Sequence, residues 1–303
     1  MPDFKNDFSW SFSRHTVFED CPRKYWLNHY GFWNGWLRDS PPRAQELYIQ
    51  KNLVTRPMWL GTVVHDAAEG ALKSFRAGQF VGTDELVSRT LDRAERDWNN
   101  SQNERYRSDS PKKYPGFQEH YYDVEDPEPI ETLFTEIERQ VRTLYENKIF
   151  RRILQVPNRI QQIEDLNVLP LHGVKVWVKL DVLMGDGQGG LVIVDWKTGR
   201  FHDSESVKTQ LGIYGLYAKQ ELGVSKLKMV HVNLRENEFT TTVIDEEQLS
   251  RSEAFVRDSS AAMLGLLDDP EENIGSEEAF EKLPEGSVRC QRCRFRRDCG
   301  REF

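Results

Sequence analysis

The segment Leu191-Val-Ile-Val-Asp195-Trp-Lys197-Thr-Gly199 decides the fold, because a purely apolar run gives way to an acid and a lysine two positions apart. The run is short and rich in β-branched residues, which predicts a buried strand. Alternate side chains of a strand share a face, so Asp195 and Lys197 point one way while Val194 and Trp196 point the other. An acid beside a lysine at a strand end can hold a metal ion and a reacting phosphate.

The preceding segment, 174–184, also predicts a strand, and it runs into a glycine-rich turn at 185–190. In a hairpin folded about Gln188 without a bulge, facing residues have numbers that sum to 376, which places Asp181 opposite Asp195. Two facing carboxylates destabilise a strand pair unless a cation lies between them or one is protonated. We therefore expect a divalent metal ion at this pair.

Periodicity along the rest of the chain alternates between helix and strand. Helices are predicted at 11–27, 59–72, 84–98, 131–153, 204–222, 246–267 and 276–281, and strands at 161–171, 174–184, 191–195, 228–234 and 240–244. The segment 99–129 is polar, aromatic and proline-containing, so we expect a surface loop or insertion there. This order of elements predicts an α/β fold with a central mixed sheet flanked by helices.

Length and charge limit the class of protein. The chain has 303 residues and a formal net charge of -8, so it can bury a core of its own and is not a generally basic nucleic-acid coat. No apolar run is long enough for a membrane span or a signal peptide, and we expect a cytoplasmic protein with no membrane partner. Six arginines nevertheless crowd the segment 289–301, as a phosphate-binding patch or as a solvated cap.

The four cysteines lie at the two ends of the chain, with Cys21 near the start and Cys290, Cys293 and Cys299 near the end. Four are too few for a disulfide framework in a chain of this length, so metal ligation is the better interpretation. Four thiolates suit either a zinc ion or an iron-sulfur cluster. Either group would link the two ends of the chain.

Three further side chains could complete the site at the hairpin. His65, on a predicted amphipathic helix, could provide a third metal ligand through a neutral ring nitrogen, although a lone helix histidine is more often only packed. Gln210 and Tyr214 share a helix face, either to orient the substrate or Lys197 or as ordinary surface residues. Carboxylates select Mg²⁺ or Mn²⁺, and a lysine can position or deprotonate water.

Together these residues resemble the PD-(D/E)XK nuclease superfamily, and more closely its RecB-like branch with an iron-sulfur cluster. The matching positions are His65 in the first motif, Asp181 in the second, Asp195-Trp196-Lys197 in the D-x-K motif, Gln210 and Tyr214 in the Q-x-x-x-Y motif, and Cys21, Cys290, Cys293 and Cys299 in the cluster. The resemblance implies a restriction-endonuclease-like core, Mg²⁺ or Mn²⁺ at His65, Asp181 and Asp195, and a 4Fe-4S cluster rather than zinc.

The resemblance also implies an organisation and a function. We expect one nuclease domain over 1–303, with an iron-sulfur cap from 1–36 and 284–303, a helical insertion at 72–157 and a catalytic core sheet at 158–245. The implied activity is a metal-dependent DNA exonuclease on single-stranded ends, in DNA repair, recombination or CRISPR-type antiviral defence, with a helicase or integrase as partner. The alternative is a non-catalytic iron-sulfur DNA-binding or scaffold subunit, which the intact acid, acid and lysine set disfavours.

Basic residues provide the expected contacts to nucleic acid. Lys179 departs from the family pattern, in which a small residue often stands two positions before the second-motif acid, and we interpret it as an additional phosphate contact. In the tail, the expected DNA contacts are Arg292, Arg294, Arg296 and Arg297. The catalytic strands share no ligand with the cysteines, so we expect a structural cluster that holds the tail as a clamp on single-stranded DNA.

Overall fold

The computed structural model describes residues 5–199, 205–224 and 226–301, except the side chains of residues 205 and 206. Its helices are α1 (Phe12–Asp20), α2 (Pro22–Trp26), α3 (Pro42–Lys51), α4 (Arg56–Arg76), α5 (Thr83–Gln102), α6 (Arg105–Ser108), α7 (Gln118–Tyr122), α8 (Ile130–Glu146), α9 (Lys148–Leu154), α10 (Glu205–Gln220), α11 (Glu246–Leu264) and α12 (Val288–Gln291). Its strands are β1 (Leu53–Val54), β2 (Gly116–Phe117), β3 (Ile160–Leu171), β4 (Val174–Gly185), β5 (Leu191–Lys197), β6 (Leu227–Asn233) and β7 (Glu238–Val243). Among these helices, none is long and apolar enough to span a bilayer.

Five strands form a mixed sheet in the order β3-β4-β5-β6-β7. β5 and β6 run parallel because the helix α10 crosses between them, and the other neighbours are antiparallel. The central strands β5 and β6 are almost entirely buried, whereas the edge strand β7 is polar and exposed. The prediction of an α/β fold with a central mixed sheet flanked by helices is confirmed.

Two apolar cores cover the two faces of this sheet. Helices α4, α5, α8 and α9 pack on the face that carries Val194 and Trp196. Helices α10 and α11 pack on the opposite face, which carries Ile193. The strand β5 therefore alternates as its sequence predicts, and the face that carries Ile193 also carries Asp195 and Lys197.

The β4–β5 hairpin has the predicted register. Four facing pairs, the last of them Val182 with Val194, have numbers that sum to 376. In the turn, the side chain of Asp186 accepts hydrogen bonds from two backbone N–H groups, at 2.6 and 2.9 Å. The last paired residue of β4 is Val182, the neighbour of Asp181. The carboxylate of Asp181 therefore lies where β4 and β5 separate.

The β3–β4 hairpin is kinked where its register would place Glu164 opposite Asp181. Ile163 pairs with Val182 on one side of this position and the same register continues on the other side, but the pair itself is missing from the ladder. Glu164 has a φ of 56°, a left-handed conformation that costs a residue with a side chain roughly 1–2 kcal/mol. Ile163 and Val182 pack under α4, whereas Leu180 packs in the opposite core. Leu180 and Val182, two positions apart across the kink, therefore lie on opposite faces of the sheet.

Two predicted helices are interrupted by residues that cap both flanking segments. Asn147 ends α8 and its side chain accepts a hydrogen bond from the N–H of Ile149 at 2.9 Å, which starts α9. Cys21 ends α1 in an extended conformation, as expected for a residue before proline, and its Sγ accepts a hydrogen bond from the N–H of Lys24 at 3.4 Å. Continuous helices over 11–27 and 131–153 were therefore wrong predictions.

The segment 99–129 is more ordered than its composition predicts. It contains the end of α5, the short helices α6 and α7, and β2, which pairs in parallel with β1. Phe117 is fully buried and anchors this segment to the core under α4. The predicted helix at 276–281 is only a 3-10 turn at Glu277–Ala279. The predicted start of a helix at residue 204 lies outside the described residues.

Candidate active site

The end of β5 presents Asp195 and Lys197 together. The Nζ of Lys197 lies 3.1 Å from Oδ1 and 2.9 Å from Oδ2 of Asp195. Asp181 approaches from β4, and its Oδ2 accepts a hydrogen bond from the backbone N–H of Trp196 at 2.7 Å. Asp195 is only 4% exposed, so these charges interact at a lower effective dielectric than that of water.

Glu164, a third carboxylate that our sequence analysis missed, completes the site. The kink in β3 brings its Oε1 within 3.2 Å of Nδ1 of His65, and the same nitrogen lies 3.6 Å from Oδ2 of Asp181. Ligand atoms of His65, Glu164 and Asp181 all lie within 4.8 Å of one another. Lys179 binds the other oxygen of Glu164 at 2.6 Å. Extending the pairing argument to β3 would have placed Glu164 opposite Asp181.

His231, also missed, lies beside Asp195 in the parallel register of β5 and β6. It is 3% exposed, and its Nδ1 lies 3.2 Å from Oδ2 of Asp195. Neither ring nitrogen of His231 has a partner at a hydrogen-bonding angle in the described part of the chain. The same holds for Oδ2 of Asp195. The Lys197 ammonium lies 2.9 Å from that oxygen, so Asp195 is ion-paired, and a carboxylate oxygen can also ligate a metal ion.

Burial and shared charge move the two central acids apart in pKa. Burial, with the charge of Asp195, raises the pKa of Asp181 to about 7. Burial also opposes ionisation of Asp195, but His231 and Lys197 hold its pKa below the usual value. For His65, burial lowers the pKa, but Glu164 and the acids around it outweigh burial and raise it to about 9. A cation bound here would relieve the repulsion between the acids.

Gln210 and Tyr214 share a face of α10, as their spacing predicts. The Nε2 of Gln210 donates a hydrogen bond to the hydroxyl of Tyr214 at 2.8 Å. Burial, together with the charges of Asp195 and Asp181, raises the pKa of Tyr214, so the hydroxyl stays protonated. Both side chains line a cavity of about 400 Å³ that also contacts Lys179. The structure thus brings the helix pair to the acids.

The four cysteines line one cavity between the start of α2 and the C-terminal segment. The Sγ atoms of Cys21 and Cys293 each accept a backbone hydrogen bond at 3.4 Å. Five basic side chains share the wall of this cavity: Lys24, Lys282, Arg289, Arg296 and Arg301. No three of these sulfurs lie within 4.8 Å of one another, so the thiols do not form a compact cluster. A tetrahedral zinc ion would hold them about 3.8 Å apart.

Arg294 does not lie on the surface with the rest of the arginine tail. It donates hydrogen bonds to the backbone carbonyl of Lys51 at 2.7 Å and to Oδ1 of Asn28 at 3.0 Å. Burial lowers the pKa of its guanidinium. The expectation of a DNA contact is therefore corrected for Arg294, which braces the end of α3 against the tail.

The other three tail arginines are accessible or stacked on tyrosine rings. Arg292 is exposed and lines an open groove of about 570 Å³ together with Arg296. The guanidinium of Arg296 lies 3.4 Å from the ring centroid of Tyr122. Arg297 lies 5.1 Å from the ring centroid of Tyr121. These contacts hold the guanidinium groups in place without neutralising them.

Comparisons with known proteins give one family and two similar structures. The model of the PD-(D/E)XK nuclease superfamily matches residues 9–300, which include the acids, Lys197, Gln210, Tyr214 and the four cysteines. A candidate exonuclease from Eubacterium rectale is 13% identical, with 86% of this chain and 80% of that chain covered and a TM-score of 0.47. The protein SSO0001 is 16% identical, with 55% and 71% covered and a TM-score of 0.31. No curated protein matches the chain.

Proposed function

Because this chain belongs to the PD-(D/E)XK nuclease superfamily, we propose that it is a metal-dependent DNA nuclease in which Asp181, Asp195 and Lys197 carry the chemistry. One observation carries the proposal: His65, Glu164 and Asp181 converge within 4.8 Å, beside a buried Asp195 that pairs with Lys197. Carboxylate oxygens with one imidazole suit Mg²⁺ or Mn²⁺. The donor set therefore fits the ion that the family uses.

In this proposal, His65, Glu164, Asp181 and Asp195 hold the metal ion. When bound, the ion supplies Lewis acidity at the phosphate and lowers the pKa of water. Asp195 holds the ammonium group of Lys197 at 2.9 Å, so Lys197 can donate to a phosphate oxygen and offset the charge that develops there. The contact fixes the ammonium before the substrate arrives, and little reorganisation is then needed.

Neighbouring side chains orient the substrate. The N–H of Trp196 fixes the carboxylate of Asp181 through its 2.7 Å hydrogen bond. We assign Gln210 and Tyr214 to positioning of the substrate, because both line the cavity that contacts Lys179 and the charges of Asp195 and Asp181 act on the Tyr214 hydroxyl. Lys179 lines the same cavity, and its ammonium group can contact a phosphate from there.

We further propose a place in the RecB-like branch and a preference for single-stranded DNA with a free end. The order of His65, Asp181, Asp195-x-Lys197 and the Gln210-x-x-x-Tyr214 pair supports this assignment. By the same resemblance, the protein would act as an exonuclease in repair, recombination or CRISPR-type defence beside a helicase or integrase.

We propose that the cysteine cavity holds a 4Fe-4S cluster. Two features support it: all four cysteines line the cavity, and five cations share its wall. Backbone hydrogen bonds to Cys21 and Cys293 suit thiolate ligands. The cluster would be structural, with Arg292, Arg296 and Arg297 as a basic clamp on the DNA.

The test is cleavage of labelled single-stranded and duplex DNA by anaerobically purified protein with Mg²⁺ or Mn²⁺. Asp195→Asn should lower cleavage by roughly 10³-fold or more, because it removes a metal ligand and the partner of Lys197. Asp165→Asn is the matched control, since Asp165 is an exposed acid next to Glu164, and it should cleave like the wild type. Undiminished cleavage by the folded Asp195→Asn variant would contradict the proposal.

A further inference from the structure

A further cavity, of about 410 Å³, lies between the N-terminal segment, the end of α3 and β4. None of the motifs above uses it. Its wall combines cationic and aromatic side chains, among them Arg14, Lys51, Lys175, Phe32 and Trp177.

The cations of this cavity have little internal compensation. Arg14 donates to the backbone oxygen and the hydroxyl of Ser9, both at 2.6 Å, while its Nε is buried without a hydrogen-bond partner in the described chain. The Nζ of Lys51 lies 3.3 Å from the ring centroid of Phe32, and burial, with Arg14 and other cations nearby, lowers the pKa of Lys51 to about 7. Neither has a carboxylate partner among the described residues. Asp7, the carboxylate in the wall, acts on Lys5.

Partly buried cations without anionic partners are costly, and an anion in the cavity would offset that cost. The aromatic wall adds a second requirement, because a simple inorganic anion would make no use of it. The ring of Trp177 is partly exposed, and Lys175 lies 5.7 Å from its centroid. A phosphate joined to a flat base satisfies both halves of the wall.

Trp177 also connects this cavity to the catalytic site. It lines both this cavity and the cavity that contains Gln210, Tyr214 and Lys179. Along β4, Trp177 lies four residues and Lys175 six residues before Asp181. At about 3.3 Å per residue these separations are roughly 13 and 20 Å. A strand stacked as in a duplex advances about 3.4 Å per nucleotide and an extended strand advances more, so the distance spans at most about four to six nucleotides.

We propose that this cavity is a subsite for single-stranded nucleic acid, in which a base stacks on Trp177 and phosphates bind Lys175 and the Arg14–Lys51 pair, at most about six nucleotides from the scissile phosphate. The placement of the scissile phosphate rests on the proposed function. The subsite selects single strands because the bases of a duplex are already stacked and paired. It sets a minimum length for efficient binding of the substrate.

The experiment measures binding without divalent ions, by fluorescence anisotropy of labelled (dT)12 in EDTA. Trp177→Ala should weaken binding about tenfold, as for the loss of one base-aromatic stack, and should leave binding of a 12-base-pair duplex unchanged. Phe80→Ala is the control, because Phe80 is an exposed ring outside both cavities that packs beside Phe75, and it should bind like the wild type. Lys175→Gln, at an exposed position that does not threaten the fold, should lower the salt dependence by about one phosphate contact.

Competition separates a strand site from a mononucleotide site. (dT)6 should displace labelled (dT)12, whereas dTMP should not do so at the same concentration. Equal affinity of wild type and Trp177→Ala, an equal loss in Phe80→Ala, or displacement by dTMP would overturn the subsite. Binding that depends on Trp177, without metal-dependent cleavage, would overturn the proposed function and keep the subsite. Metal-dependent cleavage with binding that does not depend on Trp177 would overturn the subsite and keep the proposed function.

Discussion

The catalytic site and the cysteine cavity are built in opposite ways. Glu164, Asp181 and Asp195 lie within 31 residues of one another, and strand pairing with its one kink positions them. The cysteine cavity instead joins Cys21 to residues 290–299 at the other end of the chain, and side-chain contacts bring these ends together. The first site is fixed by backbone hydrogen bonds and the second by the packing of two termini.

The contacts that close the cysteine cavity are few and specific. Arg23 donates to the backbone carbonyl of Phe280 at 2.8 Å and pairs with Glu277 at 2.7 Å. The indole N–H of Trp26 donates to the carbonyl of Gly275 at 2.7 Å. Substitutions at the catalytic site should therefore reduce activity and spare stability, whereas those at the cavity should do the opposite.

Lys197→Ala should have the largest effect of the substitutions considered, and this effect should be on the rate of cleavage. We expect the single-turnover rate to fall about 10³-fold with little change in DNA affinity, because the ammonium acts on charge that develops in the transition state. Lys226→Ala is the control, since Lys226 is exposed beside Leu191 at the other end of β5 and should change neither the rate nor the affinity. Lost affinity with an unchanged rate for Lys197→Ala would make Lys197 a plain phosphate contact.

Cys293→Ala tests the other side of the comparison. A group bound by all four thiols closes a loop of about 270 residues, so losing it should destabilise the protein by about 5 kcal/mol, measured by denaturant unfolding under anaerobic conditions. Cleavage per folded molecule should change little. An unaltered free energy of unfolding would show that the cavity does not hold the termini. A colourless protein with stoichiometric zinc would change the metal and retain the cross-link.

Sequence reasoning reached the catalytic site wherever local geometry decides it. The register that sums to 376 follows from a hairpin, and the shared face of Asp195 and Lys197 follows from the pleat of a strand. Glu164 was missed because the pairing was not extended to β3, and nothing in the sequence marks its left-handed conformation inside a strand. His231 was missed because the parallel register of β6 depends on how α10 packs, which is a tertiary property.

The terminal regions were harder to predict for the same reason. Cysteine spacing predicted that the two ends meet, but it carries no information on how far apart the sulfurs lie. Arginine density predicted a basic tail, yet only packing decides that Arg294 turns inward while Arg292 stays exposed. A sequence cluster of one residue type thus predicts composition at a surface better than the direction of each side chain.

Glu277→Gln should have the smallest effect on the free energy of unfolding, because it weakens the contacts that close the cysteine cavity and leaves all four thiols in place. Glu277 pairs with Arg23 and Arg43, each at 2.7 Å. The hydrogen bond and charge of Arg43, with Arg23, outweigh burial and lower the pKa of Glu277. Because these groups are partly exposed, we expect a loss of only about 1 kcal/mol at pH 7.

The effect of Glu277→Gln should depend on pH with a defined sign. The folded-state pKa of Glu277 is depressed, so its contribution is fully present above the unfolded value of about 4.3 and is lost as the pH falls through the folded value. The difference in unfolding free energy between wild type and Glu277→Gln should thus shrink below about pH 4. Glu278→Gln, at an exposed neighbouring acid, should show neither the loss nor the pH dependence. If both variants have the same pH profile, the ion pairs of Glu277 do not stabilise the closure, and the packing of Phe280 alone holds this end of the chain.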